Sequence, residues 1–141
     1  MDDLKIVQFE GEAEAGFIRA RLDEFNFRLV PADDHQTLNL LVRRGEVIVA
    51  GLLADTYWGW LYISILWVGE EIRGQGLGSR LLIAAEEMAR QRGCSNAHLE
   101  THDFQALEFY KRHNYVVFGQ LEDLPLGHTK YYLQKRFANK L

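Results

Sequence analysis

The stretch LYISILWVGEEIRGQGLGSR, residues 61–80, joins an apolar run to a glycine-rich turn. Its first part, residues 61–68, is almost continuously apolar and rich in β-forming side chains, which is typical of a strand buried on both faces in the middle of a sheet. Beyond the turn, apolar residues recur at spacings of three and four: Leu77, Leu81, Ala84, Ala85, Met88 and Ala89. This period predicts an amphipathic helix, so the stretch as a whole predicts a strand, a turn and a helix in direct succession.

The turn at residues 73–78 has the composition of a phosphate-binding loop. Gly74, Gly76 and Gly78 allow a ligand to approach the backbone, and the following helix start offers unpaired amide groups and the positive end of its dipole. The glycines alone fit an ordinary strand-to-helix turn equally well. A Walker loop is excluded because no lysine followed by Ser or Thr comes after the last glycine, and a Rossmann fingerprint is excluded because the glycines are spaced by two.

The flanking sequence predicts strands and helices on both sides of this unit. The expected elements are a strand at residues 5–9, a helix at 13–27, a hairpin of strands at 38–43 and 47–54, a strand at 97–101, a helix at 104–113, and closing strands at 115–119 and 128–137. The simplest arrangement is an α/β (α+β) fold. Its central sheet is mixed and mostly antiparallel, with a βαβ crossover in the middle and flanking helices.

Composition and charge disfavour several classes of protein. A chain of 141 residues, 48% of them apolar, fits one domain over residues 1–141. A formal charge of −4 disfavours nucleic-acid binding, and no apolar run reaches the roughly 18 residues of a membrane span. The acidic start MDDLKIVQFEGE does not resemble a targeting signal, and the single Cys94 cannot form an internal disulfide. We therefore expect a cytoplasmic protein without a nucleic-acid or membrane partner.

The spacing R-x-x-G-x-G, formed by Arg73, Gly76 and Gly78, resembles the acyl-CoA signature of the GCN5-related N-acetyltransferase (GNAT) family. Ala106 and Tyr110 match the later A-x-x-x-Y element of that family, and the residues after Tyr110 resemble its Y-x-x-x-G-F ending. The resemblance runs from around residue 51 to the C terminus, whereas the N-terminal third has no residue-level match.

This resemblance implies a GNAT-like acyl-CoA N-acyltransferase fold. It also implies an enzyme that transfers an acetyl group from acetyl-CoA, without a metal, to an unidentified primary amine of a small molecule or protein, and it leaves a homodimer open. Asp103 stands where the family often has asparagine, and Asn114 where it usually has glycine. The implied cofactor contacts lie on a splayed strand, at the glycine turn and in the later motif: Leu66, Trp67, Val68, Arg73, Gly74, Gln75, Gly76, Leu77, Gly78, Ser79, Asp103 and Tyr110.

Tyr110 is the candidate general acid. Acyl transfer from a thioester releases a thiolate whose conjugate acid has a pKa of about 8.5, and a tyrosine with a pKa of about 10 is protonated at pH 7 and can supply the proton. Periodicity alone favours a core tyrosine on an amphipathic helix beside Phe109. The family motif reverses that preference.

A general base is also needed, because only about one lysine-like amine in 2,500 is neutral at pH 7. His98, Glu100 and His102 alternate with Ala97, Leu99 and Thr101, so a strand places the first three on one face. Glu100 is the first candidate for the base and His102 the second. A structural carboxylate and an exposed loop histidine are the alternatives. A metal site at this trio is disfavoured because no cysteine joins it.

Aromatic residues at a predicted turn have two interpretations. Tyr57, Trp58 and Trp60, together with Thr56, either wall an acceptor pocket or are core or dimer contacts. Two other functions also stay open at this point. One is a non-catalytic acyl-CoA sensor of the same fold, which would need no Tyr110. The other is a nucleotide-binding regulatory domain, which ATP rather than acetyl-CoA would stabilise.

Overall fold

The computed structural model describes residues 3–138, which divide into two units, one up to Asp33 and one from Asp34 onward. The first unit contains helix α1, Glu12–Leu29, where the sequence predicts a helix. The helix ends where Val30 N donates a hydrogen bond to Asn26 O over 3.0 Å. The strand predicted at residues 5–9 is wrong, because no strand of the described sheet pairs with this segment. One domain over residues 1–141 stays a prediction.

The second unit is built on a seven-stranded sheet with the order β1-β3-β4-β5-β7-β6, in which β2 also pairs with β3. Among the described strands, only β4 and β5 are parallel, and the other pairings are antiparallel. The predicted mixed, mostly antiparallel sheet is therefore confirmed. Its elements are β1 Gln36–Thr37, β2 Leu40–Arg44, β3 Val47–Tyr57, β4 Trp60–Val68, a 3-10 turn Glu70–Ile72, α2 Leu77–Gln91, β5 Asn96–His102, α3 Leu107–Arg112, β6 Val116–Glu122 and β7 Thr129–Arg136.

The β4–α2–β5 crossover lies at the centre of the sheet, where the sequence predicts it. The expectation that β4 is buried on both faces along its length is wrong. Leu61 and Ile63 are buried, but Ile65 and Trp67 are 51% and 47% exposed. The apolar run therefore has two different halves. The first half packs in the core, and the second half no longer pairs with β5.

Two turns depend on residues with positive φ that are not glycine. The β3–β4 turn contains Trp58 and Gly59 at φ 46° and 77°, as a tight two-residue hairpin requires. Asn114, at φ 71°, follows α3 and confirms the expected left-handed helix end. The predicted start of this helix at residue 104 is wrong by three residues. Residues 103–106 form a turn in which Ala106 N donates to Thr101 Oγ1 over 3.4 Å.

The core lies between α2 and one face of the sheet. Its largest fully buried side chains are Leu52, Leu61, Leu82, Leu99 and Leu133, and Cys94 is buried with them.

One charged pair is buried with these side chains. Glu86 of α2 accepts hydrogen bonds from Lys135 Nζ over 2.8 Å and from Tyr115 Oη over 2.7 Å. These contacts join the middle helix to the closing strand, so a charged pair and not only apolar packing fixes α2 against β7.

Candidate active site

A bulge in β4 separates this strand from β5. Pairing between the two strands ends at Ile63, and none of the described residues of β4 beyond it pairs with β5. The register with β3 shifts at the same place: Leu53 lies opposite Ile65 and Ala54 opposite Ile63, which leaves Ser64 as the extra residue. Ser64 Oγ donates to Leu53 O over 3.0 Å. Because a bulge bends a strand and increases its twist, it accounts for the gap that opens between β4 and β5.

This gap is a cavity of about 590 Å³. Its walls come from the second half of β4, the end of β5 and the turn before α3. They are Ile63, Ser64, Ile65, Leu66, Trp67, Val68, Arg73, Glu100, Thr101, Phe104, Gln105, Ala106 and Tyr110. The cavity therefore contains both residues predicted to be catalytic, Glu100 and Tyr110, and the strand predicted to hold the cofactor arm.

A second cavity, of about 430 Å³, lies at the glycine turn. It shares Leu66, Val68, Arg73, Ala106 and Tyr110 with the first, and its other walls are Gly74, Gly76, Leu77, Gly78, Ser79, Phe109 and Arg112. The two cavities therefore form one path from the glycine turn to the gap between the strands. Of the predicted cofactor contacts, only Gln75 and Asp103 line neither cavity.

The glycine turn presents backbone amides to the second cavity. Gly76 precedes α2 at φ 80°, a conformation that side chains rarely adopt, and no side chain of the described residues caps the helix. The first turn of a helix has no intrahelical acceptors for its amides. The amides of Leu77, Gly78 and Ser79 are thus available for an anion at the positive end of the helix dipole. Beside them, Arg73 Nε donates to Val68 O over 3.0 Å, which ties this side chain to the end of β4.

Tyr110 lies where the two cavities meet. Its side chain is buried, with 6% of the residue exposed, and its ring packs edge-on against Phe109 at 5.1 Å and Tyr115 at 5.8 Å. Within residues 3–138 its hydroxyl has no hydrogen-bond partner. Burial raises the pKa of Tyr110 to about 12, so the hydroxyl stays protonated well above neutral pH. A buried tyrosine with an unused proton at a cavity wall has the chemistry of a general acid.

Glu100 holds its carboxylate at the wall of the large cavity. Tyr62 Oη donates to Glu100 Oε1 over 3.0 Å, and Lys130 Nζ lies 3.8 Å from the same oxygen. Burial and the neighbouring carboxylate raise the pKa of Tyr62 to about 12, so Tyr62 acts as a donor and not as a second anion. Two partners therefore orient the carboxylate at the cavity wall.

The two histidines of the same strand face have other contacts. Half-buried and buried residues alternate along β5, which confirms that His98, Glu100 and His102 share one face. His98 Nε2 lies 3.1 Å from Tyr57 Oη, and burial lowers the pKa of His98. His102 Nδ1 lies 3.1 Å from Gln105 Oε1. Neither histidine lines the large cavity, and Glu100 does.

The aromatic hairpin residues form a separate cavity. Tyr57, Trp58 and Trp60 line about 450 Å³ together with His98, Phe118 and Gln134, and none of them lines the cavity that contains Tyr110. Thr56 is 3% exposed and accepts a hydrogen bond from Arg92 Nη1 over 3.1 Å, which makes it a structural residue.

Asp103 connects two loops. Its carboxylate accepts hydrogen bonds from Thr129 N over 3.0 Å and from His128 Nδ1 over 2.9 Å. Desolvation would raise the pKa of Asp103, but the hydrogen bonds from Thr129 and His128 and the charge interaction with His128 outweigh it and lower this pKa. The carboxylate thus holds the turn before α3 against the start of β7, and its predicted contact with the cofactor stays a prediction.

Sequence reasoning missed several residues of the site. Ser64 is the bulge, and the signal for it was available, because it is the single hydroxyl residue between Ile63 and Ile65 in an apolar run. Phe104 and Gln105 also line the large cavity. They were missed because the sequence predicts a helix from residue 104, where the structure has a turn that exposes both side chains. Nothing in the local pattern indicates that Arg112 lines the cavity at the glycine turn.

Residues 3–138 contain no group of three or more His, Cys, Asp or Glu side chains placed to hold a metal ion. In the same range, no helix has the length and apolar character needed to cross a membrane.

The chain is similar in sequence and in structure to known acetyltransferases. Residues 4–115 match the profile of the Acetyltransferase (GNAT) family. The chain is 38% identical over 129 residues to the acetyltransferase Atu2258 of Agrobacterium fabrum, covering 91% of this chain and 93% of that protein. It is 44% identical over 93 residues to the blasticidin-S acetyltransferase of Streptomyces morookaense, covering 65% and 68%. A crystal structure of an acetyltransferase from Bacillus cereus superposes with a TM-score of 0.87 at 32% identity, covering 94% and 98%.

Proposed function

Because this chain belongs to the GNAT family of acetyltransferases, we propose that it transfers an acetyl group from acetyl-CoA to a primary amine of a small molecule or protein. The observation that carries the proposal is the position of Tyr110, a buried tyrosine without a hydrogen-bond partner among residues 3–138, at the junction of the two cavities.

The cofactor lies along the path formed by the two cavities. Arg73 and the amides of the glycine turn, from Gly74 to Ser79, bind the pyrophosphate. Beyond Ile63, the backbone of β4 has no partner in β5, so Leu66, Trp67 and Val68 offer hydrogen bonds to the amide groups of the pantetheine arm. This placement brings the thioester to the walls that both cavities share, next to Tyr110.

The reaction is a direct attack of the amine on the thioester carbonyl. Glu100, alone or through a water molecule, takes a proton from the ammonium form of the acceptor, and the neutral nitrogen forms the new C–N bond. The C–S bond breaks and its electron pair stays on sulfur. Tyr110 gives its proton to the thiolate, the newly bonded nitrogen loses its second proton to the Tyr110 phenolate through water, and Glu100 releases its proton to solvent. The products are an N-acetylated amine and free CoA. No step requires a metal ion.

One feature favours an enzyme over a non-catalytic acyl-CoA sensor. A non-catalytic acyl-CoA sensor would need the glycine turn but neither Tyr110 nor Glu100, and both of these residues face the same cavity.

The similarity to a blasticidin-S acetyltransferase makes small amines, including blasticidin S, the first acceptors to test. A panel of amines scored by release of free CoA identifies the acceptor.

The proposal is tested with Tyr110→Phe. This change keeps the ring and removes the proton, so acetyl-CoA affinity and melting temperature should stay close to those of the parent. Turnover should fall by about 10²- to 10⁴-fold, as expected for loss of a positioned general acid.

Tyr115→Phe is the matched control. Tyr115 is an equally buried tyrosine, but its hydroxyl donates to Glu86 in the core. Its loss should lower stability by about 1.5–3 kcal/mol with little change in turnover. Turnover of Tyr110→Phe within about threefold of the parent, a difference of under 1 kcal/mol in barrier, would rule out the general-acid role.

A further inference from the structure

The two overlapping cavities divide the site into a cofactor half and an acceptor half, if the proposed function is correct. The walls that both cavities share are those that the thioester reaches from the glycine turn. Glu100, Phe104 and Gln105 line only the large cavity, on the side away from that turn. The acceptor amine must reach Glu100 from this half, so the side chains beside Glu100 contact the part of the acceptor that does not react.

Phe104 is the large apolar side chain of that half, and it is held in place although it is exposed. The residue is 56% exposed, so its ring is not part of the core. His102 stacks on the ring with centroids 5.1 Å apart, and His128 packs against it edge-on at 5.0 Å. Two imidazoles thus contact the ring, and the same ring lines the cavity.

The supports of Phe104 are themselves tied to the backbone. His128 Nδ1 lies 2.9 Å from Asp103 Oδ1, and Thr129 N donates to the other carboxylate oxygen over 3.0 Å. On the other side, Gln105 Oε1 accepts from His102 N over 2.9 Å and lies 3.1 Å from His102 Nδ1. The turn before α3 and the start of β7 therefore hold the aromatic wall in one position before any ligand binds, which lowers the entropic cost of binding.

We propose that Phe104 determines acceptor specificity, and that the preferred acceptor is an amine whose non-reacting part is a flat, π-rich ring that stacks on Phe104. An aromatic ring fixed in a cavity wall favours another ring in offset or edge-on contact over an aliphatic chain of equal area. The amine nitrogen of such an acceptor reaches Glu100 while the ring lies against Phe104. This inference depends on the proposed function but is narrower, because the enzyme could acetylate amines without any such preference.

The test compares Phe104→Leu with Phe118→Leu. Phe118 is the matched control because it is also 56% exposed but lies on β6 and lines the separate aromatic cavity. The probes are 2-phenylethylamine and n-hexylamine, two primary amines of similar size. Binding of each to the protein saturated with CoA is measured by calorimetry, and kcat/KM for each is measured with acetyl-CoA.

The parent should favour the aromatic amine. Phe104→Leu should reduce that preference by about 3- to 10-fold, the effect expected for loss of one aromatic pair, with the KM for acetyl-CoA unchanged. Phe104→Trp, which keeps an aromatic ring at this position, should retain the preference of the parent, and Phe118→Leu should leave that preference unaltered. A parent that binds neither amine or favours the aliphatic one, or an equal effect of Phe118→Leu, would overturn the inference. Acetyl-CoA binding, followed separately by thermal shift, and release of free CoA across the wider amine panel test the proposed function independently.

Discussion

Tyr62 donates a hydrogen bond of 3.0 Å to Glu100, whose side chain lines the large cavity. The two residues belong to β4 and β5 and lie on the same face of the sheet. Tyr62 precedes the last pair of these strands, Ile63 with Leu99, and Glu100 directly follows it. The donor holds the carboxylate in one orientation and leaves its second oxygen to accept from a ligand or water. A carboxylate held in this way fits the role of a base that acts on a bound ammonium group.

Glu100→Gln should lower kcat/KM by about 10²- to 10⁴-fold at pH 7, because the amide keeps the shape of the side chain but cannot take a proton. The deficit should shrink as the pH rises towards about 10, since an increasing fraction of the acceptor amine is then neutral without help. Steady-state rates from pH 7 to 10 test this expectation. Glu108→Gln is the control, because Glu108 is an exposed carboxylate on α3. A deficit that is constant with pH would contradict the assignment of Glu100 as base.

Gly76→Ala should weaken acetyl-CoA binding far more than Gly93→Ala. Gly76 and Gly93 lie at opposite ends of α2 at φ 80° and 89°, and in both cases a Cβ would meet no atom within 4 Å. Both substitutions therefore carry a similar backbone penalty, of about 1–2 kcal/mol. Only Gly76 lies at the proposed pyrophosphate site. Melting temperatures and calorimetric affinities on both variants separate the two effects, and equal loss of affinity would contradict the phosphate-loop assignment.

Alkaline pH should destabilise the protein in part through Tyr110. Burial raises its pKa to about 12, whereas a tyrosine in the unfolded chain has a pKa near 10. The folded state thus binds the proton more tightly. The resulting stability is complete below pH 10 and is lost as the pH rises through 12. Between pH 9 and 11 the parent should lose about 1 kcal/mol more than Tyr110→Phe, as measured by urea unfolding. Identical losses would mean that this hydroxyl titrates normally.

Lys135→Met should destabilise the fold by about 3 kcal/mol or more, because it leaves the buried Glu86 carboxylate without its positive partner. The side chains of Lys135 and Glu86 are 15% and 6% exposed, and their charged atoms lie 2.8 Å apart. Lys111→Met is the control, since Lys111 and Glu108 form an exposed pair at 3.7 Å, and exposed pairs contribute about 1 kcal/mol at most. Chemical denaturation of both variants gives the comparison. A cost below about 1 kcal/mol for Lys135→Met would show that Tyr115 alone satisfies the carboxylate.

From β2 onward the order of the elements was predictable, because hydrophobic period and turn residues are local signals. The crossover around α2 and the left-handed Asn114 follow directly from them. The gap between β4 and β5 was expected only from the family resemblance, since an apolar run is equally compatible with a fully paired strand. The bulge that opens the gap depends on register with β3, which is a tertiary property. The positions of Phe104 and Asp103 depend on contacts with residues about 25 positions later, at the start of β7, and no local pattern contains them.

The short pairing between β4 and β5 has a consequence for how long the protein survives in a cell. Among the described residues, only the segments from Trp60 to Ile63 and from Asn96 to Leu99 pair the two halves of the sheet, so an unpaired edge of β4 lies beside the large cavity. We expect hydrogen exchange in the second half of β4 to slow markedly when acetyl-CoA binds and closes this edge. If it does, the cofactor is also a folding ligand, and proteolysis and aggregation of the protein would increase when the supply of acetyl-CoA falls.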